Sequence, residues 1–376
     1  MTGFHCTFPA RLTPPLRDYN ALMKPVRTAT VAQIDDFEEV IDVRTPPEFE
    51  EDCIPGAVNR PVLSTEERAR VGTTYKQVAP FEGLKLGATL ISRNIATHIE
   101  TSFADRPRSW TPLIYCWRGG KRSGAMAHIL REIGWVTTTL EGGYKAYRRE
   151  VVAQMATLPE TFRYRVVCGS TGSGKSRLLE ALDELGAQVL DLEAIAKHRG
   201  SVLGDLPDDP QPAQKMFESR VWNRLRKFDP RRPVFVEAES KKIGRLYVPE
   251  VLLTKIRSSE CLVVDAPVSE RVGFLIAEYE HFLTNPEHLK RQIGFLSGLY
   301  PNETIARWRA QIDASEWPAL VEDLLVNHYD PAYTRSTTRN FGDLAAARVL
   351  QPASLSSRDI AAVAREIVTQ GSSGSV

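Results

Sequence analysis

The sequence predicts an α/β protein built as two successive units, and three features carry that expectation. Short apolar runs of strand length alternate with segments of helical period, the pattern of mainly parallel sheets. Two of those runs lead straight into glycine-rich turns that open helices, IYCWRGGKRSGAM at 114–126 and VVCGSTGSGKS at 166–176. The 376 residues are enough for two ordinary cores.

Taken in order, residues 1–35 read as an N-terminal extension and 36–155 as the first unit. VIDVR from Val40 has a buried-strand pattern, STEERARVGTTYKQVAPFEGLKLGATLISRNIATHIE is mostly helical, and LIYC (113–116) is a second strand. SGAMAHILREIG follows as a helix with Gly134 at its C-cap, then VTTTLEGGYKAYRREVV as strand, turn and helix. The joint falls near 150–162, and the second unit spans 160–370. It opens with the strand, turn and helix of RYRVVCGSTGSGKSRLLEALDELG, closed by Gly186. AQVLDLE, the helix QKMFESRVWNRLRKF, the strand PVFVEAES, a helix near PEVLLTKI and the strand ECLVVDAP come next, before a helical part from about Ser269 to Asp330. GSSGSV (371–376) reads as a disordered tail.

Composition narrows the function classes. A hydrophobic share of 42% with 25% charged residues is ordinary for a globular protein. Forty-eight Lys+Arg against 47 Asp+Glu leave a net charge of +1, so an RNA partner would have to be met by a local basic face. The N-terminal MTGFHCTFPARLTPPLRDYN lacks the apolar core of a signal peptide, and no run of about 18 apolar residues follows; a cytoplasmic protein without a membrane partner is expected. Cys6, Cys53, Cys116, Cys168 and Cys261 form neither a CxxC pair nor a Cys/His cluster, so free thiols and no resident metal are expected.

GSTGSGKS fits GxxxxGK[ST] with the required strand before it and helix after it, the pattern of a P-loop. Gly169, Gly172 and Gly174 let the backbone curl so that the N–H groups of Ser170, Thr171 and Ser173 can face phosphate oxygens, and the helix N-terminus adds partial positive charge. Lys175 would bridge two phosphates, and Ser176 would hold a phosphate or a magnesium ion. The loop selects a di- or triphosphate and is silent on what that group is attached to. A strand-end acid beside it could come from Asp191, Glu237, Glu239 or Asp265, none in the standard position, so nucleotide hydrolysis does not follow.

Cys116 stands at the end of a strand, followed by Trp117, Arg118, Gly119, Gly120, Lys121, Arg122 and Ser123. A thiol attacks as its thiolate, and N–H groups, a helix N-terminus and nearby cations all favour that form. Three cations within five residues predict a field of the right sign, and a cysteine that merely ends a strand would not need them.

Five residues separate Cys116 from Arg122, a CxxxxxR loop of the size that resembles Cys-based phosphatases, whereas the usual rhodanese loop is one residue shorter. The frame nevertheless resembles rhodanese. VIDVRTPPEFEEDCIPGAVNRP follows DVRxPxEFxxxxIPGAxNxP, with Cys53 where that family often has His, and LEGGYKAY matches its closing segment. A rhodanese-like α/β domain carrying CxRGGxRS, followed by a P-loop NTPase-like parallel-sheet domain with a helical C-terminal part, resembles the tRNA 2-selenouridine synthases. ERARVGTTYKQ, LDLEAIAKHRGSVLG, VEAESKKIGRLYVPE and HYDPAY add to the likeness, which runs from about Val40 to beyond Tyr333.

That resemblance implies a transferase that replaces sulfur by selenium in 2-thiouridine at the tRNA wobble position. Selenophosphate would be the donor, geranyl diphosphate would supply an S-geranyl intermediate, and no tightly bound cofactor is implied. Arg118, Lys121, Arg122 and the loop N–H groups would hold selenophosphate while Cys116 attacks or carries selenium, and the P-loop would seat the prenyl diphosphate. Candidate tRNA contacts are RLRKFDPRR (224–232), SKKIGR (240–245, with Arg245) and Arg307, Trp308 and Arg309. Trp117 and Tyr144 are candidates for stacking a flipped base, and His198 and Arg199 for substrate contacts near the P-loop. Two alternatives stay open: a sulfurtransferase or Cys-phosphatase with a regulatory P-loop, and a P-loop kinase whose rhodanese-like module binds a partner. The oligomeric state is not legible.

Overall fold

A computed structural model describes residues 27–201, 203–206, 209–341 and 344–372. Most of the expected extension, and residues 373–376 of the expected tail, lie outside them. Both boundaries nonetheless move. Arg27–Ala29 is already a strand of the first sheet, and the closing helix Ser357–Ser372 takes in Gly371 and Ser372.

The first sheet contains β1 (Arg27–Ala29), β2 (Val40–Asp42), β3 (Val58–Asn59), β4 (Leu113–Tyr115) and β5 (Thr138–Leu140). Their order is β1-β5-β4-β2-β3, parallel throughout. Parallel strands covered on both faces are apolar at consecutive positions, and β2 and β4 are buried along their length. Alternation divides β4 between two cores: Ile114 and Cys116 pack with Met126 and Leu130 of the helix Lys121–Ile133, and Leu113 and Tyr115 with Tyr144 and Tyr147 of the helix Gly143–Met155.

The second sheet contains β6 (Tyr164–Cys168), β7 (Gln188–Leu190) and β8 (Val234–Glu237). After a small hairpin of β9 (Lys242–Ile243) and β10 (Leu246–Tyr247), it adds β11 (Glu260–Val264) and β12 (Arg348–Leu350). The order is β12-β11-β6-β8-β7, again parallel, so the P-loop leaves the carboxyl end of the central strand. The helical part runs from Val268 to Asn340, past the expected end at Asp330, around its own core of Ile293, Trp308, Ile312 and Leu320. β12 and the closing helix then bring the chain back to the sheet, a return the sequence reading did not foresee.

The two units share a core across their joint. Tyr147 meets Trp222 edge to face at 5.6 Å, and Trp222 Nε1 donates to Gln154 Oε1 at 2.8 Å. Ion pairs Lys215–Glu51 and Arg226–Asp35, both at 2.6 Å, flank this contact. Among the described residues, no helix is long and apolar enough to cross a membrane.

Candidate active site

Cys116 sits where β4 gives way to the turn, and it is 4% exposed. Gly120 N–H donates to its Sγ at 3.3 Å and the Ser123 hydroxyl at 3.2 Å. Burial alone would push the thiol up; the Ser123 hydroxyl and the N–H groups of Ser123, Gly120 and Arg118 outweigh it and hold the thiol below its ordinary value. The expected source of the field is therefore revised. Arg118 and Lys121 are exposed, and Arg122 Nη1 donates to Glu48 Oε2 at 2.9 Å. Burial would raise the Glu48 carboxyl, but its bonds to Arg122 bring it down to about 2. Hydrogen bonds, not the neighbouring cations, lower this thiol.

The closing segment LEGGY clamps the turn. Tyr144 N–H donates to Cys116 O at 2.9 Å and Lys145 N–H to Trp117 O at 3.0 Å. A Cβ on Gly143 would lie 2.3 Å from Cys116 O and 2.4 Å from Gly119 N, and at φ +58 the backbone is already left-handed. Trp117 is half-buried against Tyr144, with centroids 5.2 Å apart. Tyr144 is not available to stack a base: it is 4% exposed, its ring lies 4.0 Å from the Arg44 guanidinium, and its hydroxyl donates to Asp52 Oδ2 at 2.9 Å.

In the P-loop, Gly169, Gly172 and Gly174 all have positive φ. Lys175 Nζ turns back on the loop, donating to Gly169 O at 2.8 Å and Ser170 O at 3.3 Å. The Ser173 hydroxyl is buried without a hydrogen-bond partner among the described residues, and Ser176 is exposed at the start of the helix Lys175–Glu184. Tyr333 of HYDPAY, which sequence reasoning noticed but gave no role, accepts from Gly169 N–H at 2.6 Å through its hydroxyl. Only a contact across 164 residues reveals that.

A cleft of about 680 Å³ opens over this loop. Thr171 to Ser176, Asp191, His198, Arg199 and Glu239 line it, together with Glu193, Glu278 and Tyr333. Burial, then repulsion among neighbouring carboxylates, holds Glu237 and Glu239 well above the usual range. Burial lowers the Lys175 ammonium against the pull of Glu193 and Glu239. Asp191 Oδ1 caps the short helix after β7 through Ala194 N–H at 2.7 Å, and Glu237 Oε1 accepts from Glu193 N–H at 2.7 Å. Glu237 thus supports the wall from behind. His198 is buried and accepts from Gly200 N–H at 3.0 Å, while Arg199 donates to Glu278 at 3.1 Å. Among the described residues no three His, Cys, Asp or Glu side chains converge as a metal cage.

Other sequence candidates fall elsewhere. Arg245 sits in the two-residue turn between β9 and β10, bonded to Gln211 O, outside the cleft lining. Asp265 takes a bond from Gln351 Nε2 at 3.3 Å, also outside. Trp308 is fully buried and Arg307 pairs with Asp323 at 2.9 Å. Within RLRKFDPRR, Arg224 pairs with Asp183, Arg226 with Asp35 and Arg231 with Asp229, so three of its cations already have carboxylate partners.

Comparison with known proteins adds the lineage. Residues 27–150 match the rhodanese-like domain model, and 162–300 match the model of the tRNA 2-selenouridine synthase AAA domain. The tRNA 2-selenouridine synthase of Nitrosomonas europaea is 36% identical over 283 residues, 72% of each chain. That of Marinobacter nauticus is 30% identical over 81% of this chain and 90% of its own, and that of Shewanella halifaxensis 31% identical over 78% and 87%. With a thiol loop on one parallel sheet, a phosphate loop on the next and relatives alike across both, this chain belongs to the tRNA 2-selenouridine synthase family of enzymes.

Proposed function

We propose that the protein replaces the sulfur of 2-thiouridine at the tRNA wobble position by selenium, using geranyl diphosphate at the P-loop and selenophosphate at the Cys116 loop. The observation that carries this reading is one chain with two glycine turns of different character: a thiol held by the Gly120 N–H and the Ser123 hydroxyl, and a P-loop whose lysine turns back on the loop. The names of the relatives support selenouridine synthesis in tRNA.

The chemistry needs both sites. The sulfur of 2-thiouridine attacks C1 of geranyl diphosphate; the C–S bond forms, the C–O bond breaks, diphosphate leaves towards Lys175 and the P-loop N–H groups, and the uracil N3 proton goes to solvent. Ser176 is the hydroxyl available to a magnesium ion brought with the diphosphate. Alkylation turns a poor leaving group into a thiolate. At the other loop, Cys116 attacks the phosphorus of selenophosphate, where the S–P bond forms, the P–Se bond breaks and hydroselenide departs with a proton from water. Moving selenium itself onto the thiolate as a perselenide would be an oxidation, and no oxidant is supplied. Hydroselenide then adds to C2 of the alkylated base, geranylthiolate leaves, the selenium proton passes to N3, and water hydrolyses the cysteinyl phosphate.

Nucleoside masses after incubating 2-thiouridine tRNA with each donor test this scheme. Cys116→Ala is expected to accumulate the S-geranyl nucleoside and make no selenouridine, and Lys175→Ala to stop geranylation. Normal selenation by Cys116→Ala would make that thiol structural, and intact prenyl transfer by Lys175→Ala would remove the P-loop from the scheme.

A further inference from the structure

An apolar cavity of about 70 Å³ lies directly beside the phosphate cleft, inside the helical part of the second unit. Thr171 of the P-loop, Leu275 and Tyr279 line both spaces, so they form its mouth. Phe282, Trp317 and Val321 line the cavity but not the cleft, so we take the floor to lie on their side, away from the phosphate loop. The mouth is set close to the phosphate loop: a Cβ on Gly172 would come within 2.8 Å of the Leu275 side chain. A pocket that recognises a nucleobase presents fixed donors and acceptors to its edges. This one presents mainly leucine, phenylalanine and indole surface.

Resting on the reading of the P-loop as a diphosphate seat, we infer that this cavity holds the hydrocarbon tail of the diphosphate ester and measures its length. The volume accommodates roughly five to seven methylene-sized groups, about one isoprene unit. A second unit would span the mouth past Leu275 to the diphosphate, so a two-isoprene chain fills the site. A one-isoprene chain leaves the floor empty, and a third unit meets Trp317. Phe282, Trp317 and Val321 are thus specificity-determining residues, distant from the atoms that react.

The test is calorimetric titration of the full chain with inorganic diphosphate and with dimethylallyl, geranyl and farnesyl diphosphates, alongside prenylation of 2-thiouridine tRNA by each ester. Geranyl diphosphate is expected to bind about 100-fold more tightly than dimethylallyl diphosphate and better than farnesyl diphosphate. Val321→Trp is expected to erase the advantage of geranyl over dimethylallyl, and Trp317→Ala to admit farnesyl, with inorganic diphosphate bound by both variants as by the parent. Equal affinities for the three esters and inorganic diphosphate, or variants that bind inorganic diphosphate but keep the parental length preference, would overturn the tail pocket alone. Failure of inorganic diphosphate and all the esters to bind the parent would overturn the P-loop reading beneath it. If a variant loses inorganic diphosphate as well, its fold is damaged, and the chain-length series on the parent protein decides.

Discussion

The thiol loop and the phosphate loop share one local plan, a buried parallel strand, a glycine-rich turn and the N-terminus of a helix, yet one is filled by a thiol that receives hydrogen bonds and the other by an amine that donates them. In the first, the protein's own sulfur sits among inward-facing donors from Gly120 and Ser123. In the second, the protein's own ammonium, Lys175, sits on the carbonyls of Gly169 and Ser170. A thiol among inward-facing donors suits a nucleophile, and a lysine lying on a P-loop suits a receptor for an anion from elsewhere. The difference teaches that the glycine turn alone does not specify chemistry. Both turns have a cysteine at the strand end and a lysine at the helix start, and what separates them is contact: Cys116 takes bonds from its loop while Lys121 is exposed, whereas Lys175 turns back onto its own loop.

The largest effect that should separate the loops is steric. Gly143→Ala puts a methyl against backbone atoms of Cys116 and Gly119, which cannot rotate away, and keeps a left-handed φ. We expect a loss of at least about 2 kcal/mol in stability, read by denaturant unfolding, together with loss of selenation. Gly174→Ala in the P-loop is equally strained in φ, but its methyl meets only the tips of Leu355 and Ile360, at 3.2 and 3.4 Å. Its cost should be smaller, and equal costs would show that the clamp from Gly143 is not what makes the thiol loop rigid.

How much of this was legible follows the range of the contacts. Both turns could be read because strand, glycine and helix start lie within about ten residues, and the buried strands announced themselves as apolar runs. The partner of Arg122 could not be read, because Glu48 lies 74 positions away and sequence spacing carries no information about such a pair. The cations beside Cys116 therefore looked free when one was neutralised. β12 was invisible for another reason: a three-residue edge strand with Val349 55% exposed has no buried pattern to detect. The apolar cavity draws its walls from Thr171 to Tyr329, so only the folded helical part assembles it.

An intermediate effect tests whether hydrogen bonds hold the thiolate. Ser123→Ala removes the hydroxyl donor, which raises the Cys116 thiol and lowers the thiolate fraction at any pH below its midpoint. A bond to a charged group contributes about 1.5–3 kcal/mol, so iodoacetamide should label Cys116 at neutral pH at least ~10-fold more slowly, with the rate profile moved to higher pH. Cys53, pushed up to about 12 by burial, and buried Cys168, pushed higher still, serve as internal controls in the same peptide map. An unmoved profile would hand the stabilisation back to the cations.

A third effect, on stability against acid, decides whether Arg122 is engaged as described. Glu48 ordinarily titrates at 4.5 and is held at about 2 in the folded chain. A depressed carboxylate stabilises the fold fully above its unfolded value and loses that contribution as pH falls through the folded one. Between about pH 5 and pH 2 the parent protein should therefore lose of order 2–3 kcal/mol more than Glu48→Gln, whose amide does not titrate. Parallel acid profiles for the two proteins would mean that the Arg122–Glu48 bridge is not maintained in solution. Arg122 would then be free to face the sulfur, and the thiol loop would resemble the phosphate loop, with a cation of its own beside the anion site.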